Sequence, residues 1–319
     1  MRSLPLVLVA LTAGCNEYGV ITDLREQNIE QRYEITGARS DILFYADTSS
    51  SMESELYRMG RTVEEFVSRL EGAAEDWQII TVTGPDGCGT VGVLNPQTPD
   101  WKTLFAEGIT TKPADDDVDE WGLFNVRQAI MKSAPGLCND GFIRPEATLH
   151  VIFLSDEKDT SPGYEMGGDY WRDYVDPIRY VKDSEAQVKL SGIIGPTPNG
   201  CTGADPGYGY AEAVQFTHGE QISICDDWTT QVEILADASV SQDFFPLQHQ
   251  PIEGTLQVLL NQEILDSGWA QEGELTEGTL GVRFSDPVPG AWDEVFLNYR
   301  AIVEVEVDEE GNVVVSEGE

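Results

Sequence analysis

The chain has 319 residues, enough for one large domain and a small one, and a hydrophobic content of 40% is sufficient for a real core. Nineteen Lys and Arg against 57 Asp and Glu give a net charge of −38. A surface of that sign repels phosphate backbones and anionic headgroups, which excludes non-specific nucleic-acid binding, and it attracts divalent cations.

At the N-terminus, Arg2 precedes an apolar run over residues 4–11, followed by the small residues Ala13 and Gly14. This is the pattern of an export signal; the run is too short to cross a bilayer, which takes about 20 residues. Leu11-Thr12-Ala13-Gly14-Cys15 resembles the bacterial lipobox, with Thr12 standing where the usual leucine does. The resemblance implies a lipid on Cys15 and attachment of the chain to the cell envelope. Asn16 after the cysteine, in place of aspartate, points to the outer membrane of a Gram-negative bacterium. Residues 16–39 are polar without sustained apolar periodicity and are expected to form a tether.

From residue 40 to residue 240 strand-like and helix-like segments alternate. Residues 42–46, 77–82, 149–154 and 188–194 are short apolar runs, as expected of strands buried on both faces. Between the first two, Leu56, Met59, Val63, Phe66, Val67 and Leu70 fall on one face of an amphipathic helix. Leu123, Val126 and Ile130 mark a second helix, Asp176-Pro177 reads as the start of another carrying Ile178 and Val181, and Trp228, Val232, Leu235 and Ala236 recur at helical spacing. The predicted fold is a doubly wound, mostly parallel α/β sheet flanked by helices. After residue 240 the texture changes: residues 255–260, 279–284, 295–299 and 302–307 are β-rich and separated by turns, predicting a small antiparallel β domain over 241–308 and an acidic tail over 309–319.

Besides Cys15, four cysteines remain, and an exported chain with an even count is expected to pair them. Of three connectivities, Cys88–Cys138 with Cys201–Cys225 is expected, because each pair then ties loops at one end of the fold. The three histidines have no spacing suited to zinc, and His150 lies inside an apolar strand, where a packed core residue is expected. Tyr170, Trp171 and Tyr174 are expected to pack a helix on the sheet rather than to line a binding rim.

In an open parallel sheet, ligands bind beyond the carboxyl ends of the strands. Directly after the first buried run stands Asp47-Thr48-Ser49-Ser50-Ser51-Met52, and after the third stands Ser155-Asp156-Glu157. A D-x-S-x-S array converging with a second aspartate is a set of hard oxygen donors, suited to Mg²⁺, Mn²⁺ or Ca²⁺. Helix capping explains one or two of these residues, but not the array together with Asp156. Residues 115–117 with Asp119 and Glu120 lack the EF-hand spacing and are expected to be a solvated loop.

Over residues 40–240 the sequence is similar to the von Willebrand factor A domain with its metal-ion-dependent adhesion site. The resemblance implies Ser49 and Ser51 as direct ligands, Asp47 and Asp156 acting mainly through waters, and an open metal position that accepts an acidic side chain from a protein partner. The family's threonine between these loops has no counterpart at the expected place; Thr110 and Thr111 lie early, and Glu120 is the candidate replacement. Two other readings compete. A scaffold role would use the metal only to hold loops together. A phosphoryl-transfer hydrolase would need a second aspartate two residues after Asp47, where Ser49 stands, and no G-x-S-x-G elbow is present either. A binding module rather than an enzyme is therefore expected.

Overall fold

The structure, a computed structural model, describes residues 21–35, 39–73, 76–113, 120–182, 187–240, 243–275, 280–285, 287–290 and 293–307. The export signal with Cys15, the acidic run over 115–119 and the tail over 309–319 lie outside the described residues. No helix among the described residues is long and apolar enough to cross a membrane.

The larger unit is a five-stranded, all-parallel sheet. Its strands are β2 (Arg39–Ala46), β3 (Asp76–Val82), β4 (Thr148–Leu154), β5 (Val188–Ile194) and β6 (Gln221–Ser223), in the order β3-β2-β4-β5-β6. Successive residues of a strand face opposite sides, so β2 feeds two cores. Ile42, Phe44 and Ala46 pack with helices α1 (Glu53–Ala73), α2 (Trp101–Thr110) and α6 (Val232–Val240). Leu43 and Tyr45 pack with α3 (Gly122–Met131), α4 (Arg172–Arg179) and α5 (Tyr210–Phe216). Helices cover both faces, which is why the strands are apolar throughout.

The smaller unit joins both ends of the described chain. Strand β1 (Ile21–Glu34) runs antiparallel to β12 (Glu294–Val307) along its whole length, from Ile21 opposite Val307 to Glu34 opposite Glu294. β8 (Gln257–Leu260) and β9 (Glu263–Ile264) complete that sheet, and β7 (Phe244–Pro246), β10 (Trp269–Glu272) and β11 (Gly281–Phe284) form a second one. Phe245, Val258, Val282, Phe284, Val295 and Leu297 fill the space between them.

The tether expected over residues 16–39 is thus corrected for 21–34: the segment is a strand. It pairs through its backbone and contributes few apolar side chains, so hydrophobic periodicity does not reveal it. Its inward Gln31 is buried because Tyr299 donates to its Oε1 (2.6 Å) and its amide donates to the Pro246 carbonyl (3.1 Å). A second correction concerns α4, which starts at Arg172 and contains Pro177 in its interior, so Asp176-Pro177 is not its cap and Val181 lies beyond its end. A third is β12, one continuous strand where two segments were expected. Both disulfides are present, Cys88–Cys138 and Cys201–Cys225.

His150 is fully buried on β4, with Nδ1 2.6 Å from Ser239 Oγ and Nε2 2.7 Å from Ser191 Oγ. Burial, with the Lys189 charge adding to it, pulls its pKa down to about 3. The unfolded chain therefore takes up this proton first, near pH 6.5, and stability is lost as pH falls from there toward 3. At pH 5 the loss from His150 alone is expected to be about 2 kcal/mol. Urea unfolding at pH 7 and pH 5 checks this: the wild type should lose that much more than His150→Gln, and equal losses would refute it.

Candidate functional site

The chain adds β3 on one side of β2 and then crosses to add β4 on the other, so β2 and β4 flank the point where strand order reverses. Crevices of open α/β sheets form at such a point. Ala46 and Leu154 are paired at the ends of these strands, and the Asp47 amide donates to the Leu154 carbonyl (3.0 Å). Asp47 and Asp156 therefore emerge side by side, one and two residues past a fixed register.

Each side chain is held. Asp47, only 4% exposed, accepts from the Ser49 amide at Oδ1 (2.8 Å) and from the Ser155 hydroxyl at Oδ2 (2.8 Å). The Ser49 and Ser51 hydroxyls are 3.0 Å apart at the entry to α1. Asp156 is 6% exposed, and its buried Oδ1 has no hydrogen-bond partner. Burial pushes the Asp156 pKa up against a hydrogen bond from Ser51, and the Asp47 charge pushes it further. Glu157 is pushed up to about 7 by burial and by Glu120, Asp47 and Asp156 around it. The cost of these crowded charges is present above the raised values and is relieved as pH falls through about 7.

Asp47, Ser49, Ser51 and Asp156 are thus brought together, with Glu120 next to Glu157 at the margin. The Glu120 carbonyl accepts from the Thr160 amide (2.8 Å), which ties the start of α3 to the loop after β4. Thr110 and Thr111 are turned to the end of α2, where both hydroxyls cap backbone carbonyls. Asp159, nearly fully buried, receives the Leu123 amide (2.9 Å), the Ser161 hydroxyl (2.9 Å) and the Tyr170 hydroxyl (3.1 Å), so it anchors loop to helix. Trp171 and Tyr174 are core residues. Among the described residues no three His, Cys, Asp or Glu side chains gather in one metal-sized group. The convergence is of two aspartates with the hydroxyls of Ser49, Ser51 and Ser155.

An all-oxygen set containing an orphaned, buried carboxylate oxygen and uncompensated negative charge is of the kind hard divalent cations take. Sequence reasoning missed Ser155, whose hydroxyl fixes Asp47; a serine beside a strand end carries no signal of its own. It missed α2 and α5 as well, and with α5 the packing behind this crevice.

No protein-family model matches the chain, and no curated protein matches it. Similar solved structures include proximal thread matrix protein 1 from the mussel byssus, at 15% identity and a TM-score of 0.41, covering 65% of this chain and 48% of that one. Another is a von Willebrand factor type A protein from Catenulispora acidiphila, at 12% identity and a TM-score of 0.40, covering 90% and 66%. A third is the pilus adhesin SpaC from Lactobacillus rhamnosus GG in its open conformation, at 12% identity and a TM-score of 0.39, covering 88% and 42%. The chain spans about half the length of the byssus protein it matches.

Proposed function

We propose that the protein is a cell-envelope lipoprotein, anchored through Cys15, whose α/β domain is of the von Willebrand factor A type and captures a protein partner through a bound divalent cation. The observation that carries this reading is the buried, unpartnered Asp156 Oδ1 beside Asp47 and the paired Ser49 and Ser51 hydroxyls. In this reading Asp47, Ser49, Ser51 and Asp156 hold the cation, magnesium foremost, with manganese or calcium as substitutes. When bound, the cation supplies a positive centre that a partner's carboxylate shares. Ser155 fixes the rotamer of Asp47, and the β2–β4 register fixes the spacing of the two aspartates. Glu120 adds negative charge at the margin, which strengthens cation binding and weakens attraction for an acidic partner. The role is binding, without catalysis, and the anchor places it at the outer membrane of a Gram-negative bacterium; the support for the anchor is the sequence around Cys15 alone.

The test is a pulldown from cell-envelope extract in magnesium and in EDTA, with wild type and Asp47→Ala. A partner held only by wild type in magnesium is the expected result. Equal retention under all four conditions would exclude capture through the cation. The scaffold reading rests on the same orphaned oxygen and predicts something else: magnesium raises the melting temperature and changes no partner interaction.

A further inference from the structure

A groove of 880 Å³ opens beside the candidate site, between α1 and the loops that follow β5 and β6. Ser51 and Asp156 line it at the N-terminal end of α1, and Arg58, Arg61 and Glu65 line it successively further along the helix. The Cys201–Cys225 disulfide ties the two loops of the opposite wall together. The groove therefore begins where the proposed cation sits and continues over charged side chains.

Five carboxylates line it, those of Glu55, Glu65, Asp156, Asp226 and Asp227, against the guanidinium groups of Arg58 and Arg61, and they are not equivalent. Glu55 is engaged, accepting from Trp228 Nε1 (2.8 Å) and pairing with Arg58 (3.4 Å). Among the described residues Arg61 has no carboxylate within ion-pair distance, although acidic residues outnumber basic ones 57 to 19; its contact is with the Tyr57 ring, 5.8 Å from the centroid. Glu65 follows one turn beyond Arg61.

We propose that this groove reads a second acidic group on the partner. The partner segment lies extended, with one carboxylate at the Asp47–Asp156 site and another on the Arg61 guanidinium, with Arg58 alongside. This rests on the cation reading above. The spacing follows from the helix: ten residues separate Ser51, at the cation site, from Arg61, about 15 Å of rise. An extended chain covers that in about four to five residues. Glu65, four residues and about 6 Å past Arg61, sets a like charge just beyond the second contact. A guanidinium suits the role, since it holds a carboxylate in a planar, two-pronged pair and stays charged at any working pH.

The experiment uses the purified protein, magnesium, and two glycine peptides. One carries two aspartates about four to five residues apart, and the other has asparagine in place of the second. Affinities are measured by saturation-transfer NMR, with magnesium uptake followed separately by calorimetry. In magnesium the two-acid peptide is expected to bind about three- to fivefold tighter, the scale of a solvent-exposed ion pair. Arg61→Gln, an exposed change whose fold is checked by its melting temperature, is expected to bring both peptides to the weaker affinity. Equal affinities of the two peptides for wild type overturn the inference, and so does an undiminished preference in Arg61→Gln. In either case magnesium-dependent binding of the one-acid peptide leaves the cation reading standing. If calorimetry detects no magnesium uptake, or neither peptide responds to magnesium, the cation reading falls and this inference with it.

Discussion

Replacing Asp156 with asparagine is expected to make the cation-free protein more stable and to abolish its response to magnesium. Asp156 is nearly buried, one of its oxygens has no partner, and Asp47 lies beside it. Its charge therefore works against folding whenever no cation is present. Removing that charge at constant volume should return about 1 kcal/mol in EDTA, or roughly 2–4 °C for a domain of this size. With magnesium the order reverses. The wild type gains as the logarithm of the magnesium concentration, about 2.7 kcal/mol at a concentration a hundredfold above the dissociation constant, and the variant, short of a ligand, gains little. Two melting curves in EDTA and two in magnesium suffice. A crossing of the two proteins is the expected signature. A variant that is less stable than wild type in EDTA, yet shifts equally in magnesium, would show that Asp156 is an ordinary structural carboxylate.

Stability that is low without a cation and high with one makes physical sense of the charge crowding. Asp47, Asp156, Glu157 and Glu120 push on one another at the end of the sheet. A cluster of this kind sits badly with a role confined to helix capping, because a cap needs one acceptor and this place has several. The Ser49 amide and the Ser155 hydroxyl hold Asp47, and the Ser51 hydroxyl donates to Asp156, without neutralising either carboxylate.

How much of this was legible in the sequence depended on burial. The runs at 42–46, 149–154 and 188–194 are apolar because β2, β4 and β5 have helices on both faces, and such runs can be seen one at a time. The helix α1 was legible for a related reason: its buried Leu56, Met59, Val63, Phe66, Val67 and Leu70 carry one continuous stripe. Asp47 and Asp156 could be read as neighbours because both follow central strands of a parallel sheet. β1 could not be read that way. Its partner is 260 residues or more away along the chain, its Leu24 is exposed, and its inward Gln31 is satisfied, besides the nearby Tyr33 hydroxyl, by Tyr299, Pro246 and Gln248, which only the fold brings to it. Nor could α2, where Phe105 and Ile109 are its fully buried hydrophobic residues, or α5, whose seven residues are too few for a helical period to repeat. The groove beside α1 was invisible for another reason: one of its walls is made by loops held together by the Cys201–Cys225 bridge, and only the fold sets them opposite Arg58 and Arg61.

The largest loss of stability is expected from Asp41→Ala, at the other end of β2. Asp41 is fully buried and accepts from the Arg144 amide (2.8 Å), Arg144 Nε (2.7 Å) and Lys182 Nζ (2.8 Å). The Lys182 side chain is itself fully buried against it. Taking away the carboxylate strands an ammonium group in the interior, which costs about 3–5 kcal/mol when the partner of a buried pair is removed. The pH dependence gives the cause. Burial already lowers the Lys182 pKa, partly opposed by the Asp41 charge; without Asp41 it falls further. A lysine whose folded pKa is depressed destabilises the fold while it is charged, and that cost fades as pH rises through the folded value toward the unfolded one, about 10.4. The deficit of Asp41→Ala should therefore be largest near pH 7 and shrink by pH 9.5 in urea unfolding. A deficit below about 1 kcal/mol, or one indifferent to pH, would mean the ammonium finds water or another acceptor. Asp41 is six residues from Asp47 along the same strand, about 20 Å away. Magnesium should accordingly raise the melting temperature of Asp41→Ala by as much as that of wild type, which separates a weakened scaffold from a lost site.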